Sequence, residues 1–162
     1  MGTGISAKEL ACNDQLSSFV AADLNTVAVL PYPDKSFDAV TCAVGRAHHL
    51  CPPPPCPCRQ PTPRPCTPQL SFNYLTKPKE VMREVARVLR PGGRLILAQS
   101  NRCFYTKAVG VWTADMSDDA HLRVLGTYIH FEPGLSEPRA FDISPQGRGA
   151  NDPLYIVEAT RM

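Results

Sequence analysis

Leu30-Pro31-Tyr32-Pro33-Asp34-Lys35-Ser36-Phe37-Asp38-Ala39-Val40-Thr41 sets an acidic, proline-bearing turn directly against an apolar run. Pro31, Pro33 and Asp34 supply the turn. Phe37–Ala43 then reads as a strand apolar enough to be central in a parallel sheet. Arg90-Pro91-Gly92-Gly93-Arg94-Leu95-Ile96 follows at the end of a helix expected over Pro78–Leu89. Pro78 suits a first helical turn, where its missing N–H costs nothing. Val81, Met82, Val85, Ala86, Val88 and Leu89 form one apolar stripe, with Lys79, Glu80, Arg83, Glu84 and Arg87 outward. Pro91 is expected to stop the helix, and Gly92 to adopt the positive φ of a tight turn. Leu95–Ala98 is the next buried strand, ending at Gln99-Ser100-Asn101. The two motifs therefore describe a strand, a crossover helix and a second strand running parallel to the first.

Working outward, Ser6 is a candidate cap for a short helix over Ala7–Leu16, with Leu10, Ala11 and Leu16 inward. Phe19–Ala22 reads as a short buried strand ending at Asp23-Leu24-Asn25. Toward the C-terminus, a helical region over Thr106–Phe131 is broken near Ser117, an N-cap followed by Asp118 and Asp119 at the positive end of the helix dipole. Arg139–Ile143 and Leu154–Ala159 are expected to close the chain as a hairpin. Strands alternating with helices indicate an α/β fold whose sheet is mostly parallel. Ligands in such sheets bind beyond the carboxyl ends of the strands, which makes Asp23, Cys42-Ala43 and Ser100-Asn101 the places to look. Asp23 reads equally well as an acceptor for an adenine amino group and as an Asx-turn residue.

Composition interrupts this pattern. Of the 17 prolines, nine fall between Gly45 and Leu70, together with Cys51, Cys56, Cys58 and Cys66. The expected organisation is a domain made of residues 1–44 and 71–162, with 45–70 a disordered or polyproline II insertion rich in Pro and Cys. His48, His49 and the four cysteines offer zinc ligands without any C-x₂-C pair. The prolines give P-x-x-P spacings of the kind SH3- or WW-type modules dock. The seven cysteines are an odd number and scattered, unlike a secreted disulfide framework. The expected compartment is intracellular and cytoplasmic, any organelle address lying in a native N-terminus upstream of Met1. A net charge of +2 gives no electrostatic case for nucleic acid, and no apolar run is long enough to span a membrane. Gly2 and Ser6 match an N-myristoylation pattern, though a strand tail explains the same residues.

Leu30–Val40 and Leu89–Leu95 together resemble the turn-strand and helix-turn-strand of class I S-adenosylmethionine-dependent methyltransferases, in the methyltransferase type 11 group. Within that group, Ser100-Asn101-Arg102-Cys103-Phe104-Tyr105-Thr106-Lys107-Ala108 and the closing Asp152–Val157 are similar to one subgroup. The resemblance implies a Rossmann-like sheet and S-adenosylmethionine as cofactor. It implies that Asp23 and Leu24 face the adenine, that Cys42 and Ala43 flank the methionine part, and that Ser71 and Phe72 lie nearby. Tyr74 and Asn101 become candidates for the side of a methyl acceptor, which is a small molecule or a protein. Methyl transfer needs a nucleophile placed in line with a sulfonium methyl, and no catalytic base is legible. Cys103 reads as a packed thiol, and His121 and His130 as surface or capping residues.

Two departures from that family stand out. Met1-Gly2-Thr3-Gly4 looks like the tail of the family's second strand, so the expected sheet is partial and the glycine-rich cofactor loop absent. The Phe37–Ala43 strand would then be unpaired on one side or paired with a non-family neighbour. Secondly, removing Val44–Gln69, or equally Gly45–Leu70, rejoins Cys42-Ala43 to Phe72 at family spacing. Valine codons begin with GT and one glutamine codon is CAG, so the first pair of boundaries suits a retained in-frame intron. The expected function is methyl transfer to an unidentified acceptor. The alternative is a non-catalytic fragment acting as an interaction protein through its proline-rich loop. A nucleotide-binding dehydrogenase is disfavoured, since the Leu30–Val40 turn-strand is foreign to it.

Overall fold

A computed structural model describes residues 1–11, 16–26, 29–43, 72–100, 106, 108–113, 116–145 and 153–162. The elements in chain order are β1 (Gly2–Gly4), α1 (Ala7–Ala11), β2 (Phe19–Ala21), β3 (Phe37–Ala43), a 3₁₀ turn (Phe72–Tyr74), α2 (Pro78–Val88), β4 (Leu89–Gln99), α3 (Gly110–Thr113), α4 (Asp118–His130), β5 (Arg139–Asp142) and β6 (Tyr155–Thr160). The insertion at 45–70, with its candidate zinc ligands and proline motifs, lies outside the described residues, as do Ser71 and Asn101.

β3 and β4 run parallel and adjacent, with Val40 opposite Leu95 and Cys42 opposite Leu97. α2 lies between them in sequence, as the motifs require. Its buried residues are Val81, Met82, Val85, Ala86 and Val88, the anticipated stripe. Full burial of side chains such as Val81, Met82 and Val85 stabilises by roughly 2 kcal/mol apiece. β6 adds antiparallel to β4, and β5 antiparallel to β6, giving the order β3-β4-β6-β5 and the expected closing hairpin.

The helix ends at Val88, one residue earlier than expected. Leu89 is already extended (φ −73, ψ 138), and Arg90-Pro91-Gly92-Gly93 belongs to β4 itself. The cause is local: proline disfavours helical backbone at the residue before it. Once extended, the segment pairs with the C-terminus, where Gly92 N–H donates to Arg161 O (2.8 Å) and Arg161 N–H to Gly93 O (2.7 Å). Gly92 has φ +80, as expected of this glycine.

β3 is not central among the described residues. It pairs with β4 alone, and Phe37, Val40 and Cys42 are only half-buried. An apolar strand covered by one ladder neighbour cannot bury both faces as a doubly flanked one does. β1 and β2 instead form a separate parallel pair, Thr3 opposite Val20. The tail-like Gly2-Thr3-Gly4 is thus a strand, and Gly2 admits the close approach of Leu16, whose methyl would lie 2.7 Å from a Cβ there. α1 is described over Ala7–Ala11, where Leu10 is fully buried while Ala11, expected inward, is exposed; residues 12–15 lie outside the described residues. Tyr32 ties the two ladders: its hydroxyl donates to Gly2 O at 3.0 Å and contacts Thr3 Oγ1, while its ring meets Phe37 edge-on.

Candidate functional site

Three segments converge where β2 and β3 end. Past β2, Asp23 forms a closed turn: Oδ1 accepts from Asn25 N–H (2.9 Å) and Oδ2 from Thr26 Oγ1 (3.2 Å). Both readings of this aspartate therefore remain compatible, since each carboxylate oxygen retains a lone pair. Leu24 is buried in the main core. Asn25 had no signal in the sequence beyond following a strand, yet it fastens the segments. Its Nδ2 donates to Tyr74 O (3.0 Å), and its Oδ1 accepts from Thr76 N–H (2.8 Å) and Thr76 Oγ1 (3.1 Å).

At the end of β3, Cys42 and Ala43 sit opposite Leu97 and Ala98 of β4. The Phe72 backbone N–H reaches the Cys42 thiol, so residues separated by the whole insertion are in contact. Burial pushes that thiol up to about 12, only partly offset by the Phe72 hydrogen bond. It is a neutral, packed group and a poor nucleophile. Phe72 is buried, and Tyr74 half-buried beside the Asn25 anchor. Asp23, Leu24, Cys42, Phe72 and Tyr74 thus belong to one neighbourhood.

A second layer comes from the later elements. Asn73 O accepts from Val109 N–H (3.0 Å), and Val109 O from Trp112 N–H (2.8 Å), which fixes α3 above the 3₁₀ turn. Phe72 meets Trp112 edge-on and Tyr128 at a tilt, with centroids 6.1 and 5.6 Å apart. Ser117 caps α4 as expected, Oγ accepting from Ala120 N–H at 3.3 Å. His121, expected in a surface or capping role, lies against the Trp112 ring at 5.4 Å with its Nε2 buried. A helical pattern gives no sign of this, because the burying partner comes from another element. Among the described residues no group of His, Cys, Asp and Glu could hold a metal ion. No helix there is long and apolar enough to cross a membrane.

A strand-helix-strand unit with its polar residues gathered past the strand ends is the arrangement of the class I methyltransferase fold. A family model described as a methyltransferase domain matches residues 6–129, and the chain belongs to that family. A search of curated proteins returned no match. Among solved structures, an S-adenosylmethionine-dependent methyltransferase from Mesorhizobium loti is 16% identical, with TM-score 0.54 over 99% of this chain and 79% of that one. One from Methanosarcina mazei is 13% identical, with TM-score 0.53 over 99% and 81%. The [4+2]-cyclase SpnF is 17% identical at TM-score 0.51, over 96% of this chain but only 59% of the cyclase. The chain spans less than two thirds of that protein's length.

Proposed function

We propose that this chain takes part in methyl transfer from S-adenosylmethionine to a nucleophilic acceptor, the donor lying across the ends of β2 and β3. The observation that carries this reading is the joining of those ends through Asn25, Tyr74 and Thr76 on one side and Cys42 and Phe72 on the other. The residues fit such a ligand in kind. Asp23 has lone pairs left to accept from an adenine amino group, and the Leu24 backbone lies beside it. Cys42 offers a small, uncharged group for the methionine part, with Phe72 beside it; Ala43 and Ser71 join that side by family resemblance. The donor, when bound, supplies an activated methyl on a sulfonium sulfur. The chain's own contribution is to position and shield the reacting pair, with Tyr74 on the acceptor side; Asn101, the other candidate by resemblance, lies outside the described residues.

Binding of the donor by this chain alone is expected to be weak. Gly2 and Gly4 lie in β1, and among the described residues no glycine-rich loop faces the strand ends. Calorimetric titration with S-adenosylmethionine should show an affinity well below the micromolar range, and a micromolar constant overturns this expectation. Cofactor crosslinking, set against pull-down by polyproline-binding domains, separates methyl transfer from the interaction-protein reading.

A further inference from the structure

One face of the sheet β3-β4-β6-β5 carries the core, and the other is open among the described residues. Leu95, Leu97, Val157 and Ala159 are buried in one cluster with Val81 and Met82 of α2 and Leu125 and Ile129 of α4. Alternate residues along the same strands turn the other way. Ile96, Ala98 and Ile156 are only half-buried and lie outside that cluster. Phe141 is 41% exposed and Ile143 51%. The register places these five on one surface. Ile96 stands opposite Glu158, Ala98 opposite Ile156, and Ile156 opposite Phe141. Ile143 continues the Phe141 side of β5, its N–H donating to Leu154 O at 2.9 Å. A solvated face on antiparallel strands is ordinarily polar. This one has an apolar centre rimmed by Thr41, Arg94, Glu158 and Arg139, the pattern of a contact surface.

The rim is unevenly charged. Glu158 stands opposite Arg139 across the ladder, yet its Oε2 pairs with Arg94 Nη2 at 2.5 Å. Arg139 has no carboxylate partner among the described residues, and its guanidinium lies 5.5 Å over the Phe141 ring. The apolar centre therefore has an uncompensated cation at its edge. Three strands about 4.8 Å apart and four residues deep give a footprint of about 200 Å². A stable dimer buries about 800 Å² per partner, so a second copy is too large a demand on this face. A helix is about 10 Å across and covers such a patch with about three turns. We propose that this face docks an amphipathic helix of a partner protein, its apolar stripe on Ile96, Ile156 and Phe141 and an acidic flank against Arg139. The opposite face is covered in the same manner, by the apolar stripe of α2. The inference goes beyond methyl transfer and does not depend on it.

Fluorescence anisotropy on the full chain tests this with two labelled synthetic helical peptides of about 15 residues, about 22 Å long. Both carry the same leucine stripe, one flanked by glutamates and the other by lysines. The glutamate peptide should bind at least about tenfold more tightly, and Arg139→Glu should reverse that order. Phe141→Ser should weaken the glutamate peptide about tenfold. Both residues are exposed on the edge strand β5, where substitution leaves the core intact. If Phe141→Ser nevertheless fails to fold, Arg139→Glu alone decides. Failure to bind either peptide, equal binding of the two, an unchanged order in Arg139→Glu, or unchanged affinity in a folded Phe141→Ser would each overturn the assignment. So would sedimentation of the wild-type chain as a dimer that Phe141→Ser dissociates, because a second copy would then occupy the face.

Discussion

Arg87 shows what one side chain does for the turn ahead of β3. Its Nε and one terminal nitrogen grip Glu84 (2.9 and 2.7 Å), while the same fork donates to Leu30 O, Tyr32 O and Asp34 Oδ1. Glu84 in turn accepts from Leu30 N–H at 2.9 Å. The Arg87 hydrogen bond holds the Glu84 carboxyl below its ordinary 4.5, against the opposing effect of burial. Asp34 is 70% exposed and adds little. Arg87→Met strips five donors from the turn and should cost about 2 kcal/mol in urea denaturation near neutral pH. The Glu84 share has a depressed folded pKa, so it is fully present above its unfolded value and lost as pH falls through the folded one. The gap between wild type and Arg87→Met should therefore narrow in acid.

At the scale of elements, β4 matters most, because one continuous strand carries the Pro-Gly-Gly segment, the parallel contact with β3 and the antiparallel contact with β6. Gly93 has no room for a side chain. A Cβ there would lie 2.8 Å from Arg90 O and 3.2 Å from Asp38 O, both backbone atoms. Asp38 belongs to β3 and Arg90 to β4 itself, so relief requires the backbone of both strands to shift. Gly93→Ala should destabilise by about 1–3 kcal/mol, read as a lower urea midpoint with unchanged slope. Gly92 is different: nothing lies within 4 Å, and its constraint is the backbone angle alone. Gly92→Ala should cost less, about 1 kcal/mol.

For the molecule as a whole, the contact between Cys42 and Phe72 bears on the insertion. We propose that Val44–Gln69 is dispensable to the fold and is a retained intron. Ends already touching can be joined by a short loop, and shortening a closed loop from about thirty residues to a few gains about 1–2 kcal/mol of closure entropy. Deleting Val44–Gln69 should therefore keep the fold and raise its stability by that amount. A deletion variant that unfolds, or a mature transcript carrying only the long form, counts against this. Membership of the methyltransferase family does not by itself fix an activity, for the SpnF cyclase has a similar fold. The acceptor must be argued from the site.

Local chemistry was legible along the chain wherever a residue type has few conformational options. Pro78 opening α2, Ser117 capping α4, the apolar stripe of α2 and the positive φ of Gly92 all follow from such restrictions. The parallel pairing of β3 and β4 follows from the crossover helix between them. Other features depend on partners remote in sequence. The pairing of Pro-Gly-Gly with Arg161 carried that segment into β4, and Trp112 covered one side of the His121 ring. The one-sided ladder of β3, and Asn25 as the link between strand ends, likewise emerged only in three dimensions. Periodicity tells a side chain which way to face along its own element, whereas burial and hydrogen-bond satisfaction are decided by what another element brings to meet it.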